Sequence, residues 1–247
     1  THPKGKHGYG SILGGYASGT QPRITVHHSI YAHNWARNPN FAGDRKGNPP
    51  GSIIDFRNNI IYNWGKLAAH NYSPQYTHVN FVNNYLKQGP STNQEQVKIG
   101  LTAGSANMHI YAAGNYMEGF PEASDNNWLF VQAKHGATSL EEPVSVPVVK
   151  TQNTHIAYLK VLNRAGAFPR DAIDKRVTNE VQNGSGRIID SPNDVGGWPG
   201  YSSMPPPADT DGDGLSDYQE IMTYLSDPML KDPDGDGYTD GEEVANG

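Results

Sequence analysis

Two stretches near the C-terminus space oxygen ligands as a hard cation requires. "DTDGDGLSDYQE" (209–220) puts Asp209, Asp211, Asp213, Asp217 and Glu220 at positions 1, 3, 5, 9 and 12 of a twelve-residue loop. Gly214 takes position 6, where such a loop turns sharply, and Leu215 offers its carbonyl at position 7. "DPDGDGYTDGEE" (232–243) repeats every feature with Asp232, Asp234, Asp236, Gly237, Tyr238, Asp240 and Glu243. Two complete matches in tandem point to Ca2+. Without an ion the clustered carboxylates repel one another, so this segment is expected to order only when loaded. Only eleven residues, Ile221 to Lys231, separate the loops. That is too short for the two full helices between paired helix–loop–helix calcium sites.

A second stretch, "ITVHHSIYAHNWARNP" (24–39), begins as a β-branched strand and ends on the turn Arg37-Asn38-Pro39, with His27, His28 and His33 just before it. It lies in the basic part of the chain. From Asp209 to Gly247 twelve acids face Lys231 alone, giving −11, whereas residues 1–98 hold ten Lys/Arg against three acids, giving +7. The acidic tail suits hard cations and the basic front suits an anionic partner. No nucleic-acid-binding module or basic helix is present, so nucleic acid is not the expected partner. No run approaches the roughly 18 apolar residues of a membrane span, and "THPKGKHGYG" lacks a signal-peptide core. The chain opens on Thr1, which suggests a processed or truncated protein. With no cysteine, disulfides and thiolate metal sites are excluded.

The elements that must position these residues are short. Apolar content is 35%, with 28 Gly and 18 Pro, which favours many strands and turns. "ITVHHSIYAHN" (24–34), "IIDFRNNIIYNW" (53–64), "HVNFVNNYLKQG" (78–89) and "MHIYAAGNYMEG" (108–119) share one pattern. Each is an alternating strand, then a small or polar residue, then another apolar pair. Aligned on Ser29, Asn59, Asn84 and Asn115, they recur at intervals of 30, 25 and 31 residues. Such recurrence predicts a solenoid whose rungs bury their apolar faces against one another. The repeated Asn can stack as a hydrogen-bonded ladder, because its amide both donates and accepts. An antiparallel sandwich with Asn in its turns is the competing arrangement.

Beyond Leu140 the texture changes. "EEPVSVPVVKTQ" (141–152) is Pro-broken and reads as an edge strand or wrapping loop. "THIAYLKVLNRAGA" (154–167) predicts a short helix with Ile156, Leu159, Val161 and Leu162 as its apolar residues and Gly166 as its stop. "PRDAIDKRVTNEVQNGSG" (169–186) predicts a second, ended by Asn183-Gly184. The expected organisation is rungs over 1–135, packing segments over 136–200, a Pro-rich linker over 201–208 and the cation loops over 209–247.

"HHSIYAHNWARNP" followed by "IIDFRNNIIYNWG" resembles the pectate lyase type of polysaccharide lyase. The likeness extends through "HPKGKHGYGSILGG", "GAFPRDAIDKRV" and "GRIIDSPNDVGGWP". It implies an all-β fold: a right-handed parallel β-helix with short C-terminal helices and a small calcium-binding tail. The tail in turn resembles the thrombospondin type 3 and dockerin-like calcium repeats of secreted bacterial proteins. The resemblance also implies a secreted or cell-surface enzyme that cleaves polygalacturonate or a pectin-like polyuronate by calcium-assisted β-elimination.

That reaction removes the C5 proton, α to a carboxylate, and expels the C4 oxygen while charge builds on the carboxylate. In the resembled family the arginine of the Arg-x-Pro turn is the base, which maps to Arg37. An arginine accepts a proton only if its ordinary pKa, above about 12, is lowered, and neighbouring cations act in that direction. A substrate-binding lysine on the preceding rung maps to Lys6 or Lys4, beside His7. Adjacent strand residues face opposite ways, so at most one of His27 and His28 meets a groove. Packing is the simpler role for each histidine; His28 and His33 are the candidates for substrate contact.

The sequence departs from the family twice. After Pro39 it runs Asn40, Phe41, Ala42 rather than placing a second arginine, and Arg45 is the available substitute. Residues 1–23 contain no acid, so the ligands of the family's catalytic calcium must lie on earlier rungs, in an upstream segment or chain. The alternative function is a non-catalytic β-helix that binds acidic glycans or serves as a calcium-stabilised surface protein.

Overall fold

The computed structural model describes residues 8–14, 22–43, 49, 51–71, 76–199, 208–224 and 226–246. The chain divides into two compact units, one of residues 1–165 with 176–197 and one of residues 166–175 with 198–247.

The first unit is a parallel β-helix. Each of four rungs contributes one strand to each of three sheets, a fifth adds one strand to two of them, and every pairing is parallel. Sheet 1 stacks β1 (Ile12–Leu13), β4 (Asn40–Phe41), β7 (Ala69–Asn71), β10 (Leu101–Ala103) and β13 (Val131–Ala133). Sheet 2 stacks β2 (Arg23–His27), β5 (Ser52–Arg57), β8 (Thr77–Val82), β11 (Met108–Ala113) and β14 (Thr138–Ser139). Sheet 3 stacks β3 (Ile30–Ala32), β6 (Ile60–Tyr62), β9 (Tyr85–Lys87) and β12 (Tyr116–Met117). The antiparallel sandwich is excluded.

The break between sheets 2 and 3 falls where the four sequence segments align. His28, Asn58, Asn83 and Gly114 have φ of 54°, 53°, 52° and 66°, a left-handed turn that Asn and Gly adopt most readily. The next residue of each rung is Ser29, Asn59, Asn84 or Asn115, and these form the expected ladder. Asn59 Oδ1 accepts the Ser29 N–H at 2.9 Å, Asn84 Oδ1 the Asn59 N–H at 2.9 Å, and Asn115 Oδ1 the Asn84 N–H at 2.8 Å. Asn127 extends the ladder, accepting the Asn115 N–H at 2.7 Å. Each Asn Nδ2 also donates to a carbonyl one rung back, those of Val26, Phe56 and Phe81. Every amide is buried and satisfied, as interior polar groups must be.

Side chains alternate in and out along each strand. Ile61 joins the interior cluster with Phe41, Phe56, Phe81, Leu101, Met108 and Phe130. Its neighbours Ile60 and Tyr62 point outward and pack under Val161, Leu162 and Val181 of the two long helices. Those are α1 (Thr154–Arg164), capped by Asn153 accepting the Ile156 N–H, and α2 (Ala172–Asn183), followed by Gly184 at φ 70°. The buried stripe of α1 is Thr154, Ala157, Val161 and Leu162, whereas Ile156 and Leu159, expected in the apolar face, are exposed. A helix turns about 100° per residue, so the stripe set by 157, 161 and 162 cannot include them.

The Pro-broken segment 141–152 wraps sheet 2. Val144 exchanges two hydrogen bonds with Asn80, and Gln152 exchanges two with Asn58. Sheets 2 and 3 are thus covered from outside. Sheet 1 carries the Arg37 turn at the start of β4.

The second unit contains the acidic loops. Residues 209–216 form the first turn, followed by α3 (Asp217–Gln219), a π-helical turn over Glu220–Tyr224, the second acidic turn and α4 (Asp240–Asn246).

Candidate functional site

Arg37 adopts φ 66°, a conformation uncommon for a large side chain and costly unless its surroundings impose it. The neighbours impose it here. Buried Asn38 donates from its backbone N–H to the Ala68 carbonyl at 3.2 Å and from Nδ2 to the Leu67 carbonyl at 3.1 Å. Its Oδ1 accepts Asn34 Nδ2 at 2.9 Å. On the other side the Ser11 N–H donates to the Arg37 carbonyl at 2.9 Å. The turn is clamped by the rungs before and after it, and the Asn38–Pro39 peptide is cis. The Arg37 guanidinium lies 4.2 Å from the Tyr9 ring centroid, within cation–π range.

Two further residues join this edge. The register pairs Asn40 with His70, and His70 is almost completely buried. Burial pushes its pKa down to about 4, and the nearby charges of Arg37 and Lys66 act in the same direction against a hydrogen bond with Ala68. His70 is therefore neutral at pH 7, beside two cations. Neither Lys66 nor His70 was singled out from sequence. The signal was available, since the 30-residue interval between Ser29 and Asn59 also links Ala36 to Lys66 and Asn40 to His70.

The other residues named for substrate contact are less concentrated. Lys4, Lys6, His7 and Arg45 lie outside the described residues. His28 is not a strand residue, because β2 ends at His27 and His28 forms the left-handed turn. Strand alternation therefore does not decide which way the pair points. His28 Nε2 lies 2.6 Å from Gln152 Oε1 and its Nδ1 lies 2.8 Å from His27 Nδ1, so its ring serves the contact with the wrapping segment. His33 takes the next left-handed turn, at φ 59°. Its Nδ1 lies 2.8 Å from Asn63 Nδ2 and its Nε2 lies 2.9 Å from Glu180 Oε2. Arg176 also binds Glu180 at 2.9 Å. Burial lowers the His33 pKa despite the opposing pull of Glu180. This histidine anchors α2 rather than lining the Arg37 edge.

The two acidic loops are near copies. In the first, Asp209 accepts the N–H groups of Gly212, Asp213 and Gly214 at 2.7, 3.2 and 3.2 Å, and Asp213 accepts that of Leu215 at 2.8 Å. In the second, Asp232 accepts those of Gly235, Asp236 and Gly237 at 2.7, 3.2 and 3.0 Å, and Asp236 accepts that of Tyr238 at 3.0 Å. Gly214 and Gly237 have φ of 101° and 99°, which explains glycine at position 6 of both. One carboxylate oxygen from each of Asp209, Asp211 and Asp213 lies within 4.8 Å of the others, as for Asp232, Asp234 and Asp236.

The first loop fits a hard dication on its own chemistry. Both oxygens of fully buried Glu220, at position 12, and Oδ2 of Asp211 have no hydrogen-bond partner among the described residues. Burial raises the Glu220 pKa to about 7, helped by the charges of Asp211, Asp213, Asp217 and Asp240. Burial likewise raises Glu243 in the second loop, with Asp236 the next contributor. Carboxylates buried without partners need a cation or a proton. Asp217 differs: Thr210 donates its N–H to Oδ1 at 2.8 Å and its hydroxyl to Oδ2 at 2.7 Å. These bonds hold the Asp217 carboxyl below its usual pKa. Around Arg37 the chemistry does not fit a calcium site. Residues 1–43 contain no acid, and buried Asp55 is gripped by Arg57.

Comparison with known proteins follows the same division. Residues 209–223 and 232–247 match the family model described as "Bacterial TSP3 repeat". Over 210 residues, 81% of this chain, it is 29% identical to "Probable pectate lyase C" of Neosartorya fischeri, covering 47% of that protein. The same protein name in Aspergillus flavus gives 29% over 210 residues and 47% of its length. In Emericella nidulans it gives 27% over 206 residues, 80% of this chain and 45% of that protein. The chain spans about half the length of the curated relatives it matches. The chain is thus a parallel β-helix similar over most of its length to proteins named probable pectate lyase C, with tandem matches to the bacterial TSP3 repeat in its acidic segment.

Proposed function

We propose that this chain carries the base-bearing rungs of a polysaccharide lyase that cleaves polygalacturonate or a related polyuronate by β-elimination. The observation behind this reading is the Arg37 turn, held in a left-handed conformation between two rungs with Lys66 and His70 beside it. In the reaction Arg37 acts in its neutral guanidine form, takes the C5 proton and becomes a guanidinium. The C5–H electron pair forms the C4=C5 double bond, the C4–O bond breaks, and the departing oxygen of the second sugar chain takes a proton from solvent water. Lys66 supplies positive charge for the uronate carboxylate, whose developing negative charge such contacts stabilise, and Arg37 adds its own as it takes the proton. Neutral His70 holds the wall of the edge without adding a third cation. No step is assigned to a catalytic calcium, because the rungs leading to Arg37 offer it no carboxylate.

The tail has a separate role. Its loops hold two Ca2+ ions, the first through Asp209, Asp211, Asp213, the Leu215 carbonyl and Glu220. The second uses Asp232, Asp234, Asp236, the Tyr238 carbonyl and Glu243. Bound there, Ca2+ supplies the positive charge that the clustered carboxylates need, which makes the tail a calcium-ordered structural module. Export to the cell exterior fits both halves, and no helix among the described residues is long and apolar enough to cross a membrane.

The missing carboxylates favour one second reading, a β-helix that binds polyuronate without cleaving it. Ultraviolet absorbance of the unsaturated uronate product separates the two. The intact protein with added Ca2+ should release product from polygalacturonate, whereas binding without product over prolonged incubation would support the second reading and remove Arg37 as a base.

A further inference from the structure

Among the described residues no carboxylate pairs with Arg37. Its side chain meets an aromatic ring instead, with Cζ 4.2 Å from the Tyr9 centroid. Arg57 shows the more usual arrangement in the same coil, where it grips buried Asp55.

The coil fixes Tyr9 next to the Arg37 turn. Tyr9 forms a parallel bridge with Ala36, one rung on. Around that bridge the Trp35 N–H donates to the Gly8 carbonyl at 2.6 Å, and the Gly10 N–H to the Ala36 carbonyl at 3.0 Å. The Ser11 N–H then donates to the Arg37 carbonyl at 2.9 Å. The two backbones run so close that a Cβ on Gly10 would come within 2.2 Å of the Arg37 carbonyl oxygen. Glycine is therefore required at 10, and the half-buried Tyr9 has its backbone held on both sides.

The kind of partner matters for a base. A carboxylate orients a guanidine well, but it favours the protonated form by about 10- to 1,000-fold. An aromatic face at an exposed site favours that form by less than about tenfold. A ring can thus restrain the group while leaving its basic form within reach.

We propose that Tyr9 is the positioning residue of the base: its ring holds the Arg37 guanidine where the C5 proton of a bound uronate is taken, without pairing it with an anion. The proposal rests on the reading of Arg37 as the base of a β-elimination. Because Tyr9 acts through Arg37, it governs turnover and leaves polyuronate binding to other groups.

Steady-state kinetics of the intact protein on polygalacturonate with added Ca2+, read by absorbance of the unsaturated product, test this. Tyr9→Leu removes the ring and should lower kcat by about 10- to 100-fold, as a displacement of about 1 Å in a reacting group does. Its KM should change by less than about threefold, since no ground-state contact with substrate is lost. Tyr9→Phe keeps the aromatic face and should stay within about threefold of the unmutated protein in both constants. In the unmutated protein the Arg37 side-chain N–H resonances should be displaced upfield by the Tyr9 ring current, a readout that needs no variant to fold. Four results would each overturn the proposal: unchanged kcat in Tyr9→Leu, an effect of Tyr9→Leu confined to KM, a loss in Tyr9→Phe equal to that in Tyr9→Leu, or undisplaced Arg37 resonances. An unmutated protein that releases no unsaturated product would instead overturn the lyase reading, and the role of Tyr9 with it.

Discussion

Asn84→Asp is a near-isosteric change that tests the ladder on which the rungs, and hence the Arg37 edge, are stacked. Asn84 Oδ1 accepts the Asn59 N–H at 2.9 Å and Asn59 Nδ2 at 3.2 Å. Its Nδ2 donates to the Phe56 carbonyl at 3.0 Å and to Asn115 Oδ1 at 2.9 Å. Aspartate keeps the accepting oxygen and turns the donor into a second acceptor. Two buried oxygens then lose a donor and face a carboxylate in a site with no solvent access. At about 1–3 kcal/mol for each group left unsatisfied, and more for a charged one, the cost is about 3–6 kcal/mol. That is a large part of the roughly 5–15 kcal/mol that holds a domain folded. Urea unfolding followed by far-ultraviolet circular dichroism would read it at neutral pH. Protonation restores one donor, so the deficit should shrink as pH falls: a buried carboxyl has a raised pKa, and the folded state then binds the extra proton. Ser29→Ala is the control, because Ser29 meets the ladder through its backbone N–H and not its hydroxyl; it should cost less than about 0.5 kcal/mol. An Asn84→Asp protein as stable as Ser29→Ala would refute the ladder as a stabilising feature.

Other outcomes follow from the two sites. Arg37→Lys in the intact protein should keep much of the polyuronate binding, since charge survives, and lose about 10²- to 10⁴-fold in turnover; wild-type turnover would remove Arg37 from the chemistry. His70, lowered from 6.5 to about 4, binds fewer protons folded than unfolded, so its contribution is complete above pH 6.5 and lost as pH falls towards 4. The window is worth about 3 kcal/mol, and His70→Gln should flatten that acid limb in pH-dependent urea titrations. Stripping Ca2+ with EDTA should reduce the helical signal of the tail, and Asp211→Ala with Asp234→Ala together should abolish two equivalents of binding in calorimetry. Unchanged stoichiometry would show that the ions bind elsewhere.

The parallel coil was legible in the sequence because a rung repeats one physical problem. Each turn needs a left-handed residue and then an amide that can both donate and accept, so Asn58-Asn59, Asn83-Asn84 and Gly114-Asn115 reappear at rung spacing. The acidic loops were legible for the same local reason: Asp at alternate positions and Gly at position 6 close the turn through bonds spanning at most five residues. Side-chain direction at the turns was not legible. Alternation along a strand placed His28 by its neighbours, but the chain leaves the strand at His27, and the ring turns to Gln152, which is 124 residues away in sequence. His33 likewise meets Glu180 only because α2 lies over sheet 3. Lys66 and His70 reach Arg37 through the stacking of rungs, and the depressed pKa of His70 arises from burial that no local pattern encodes.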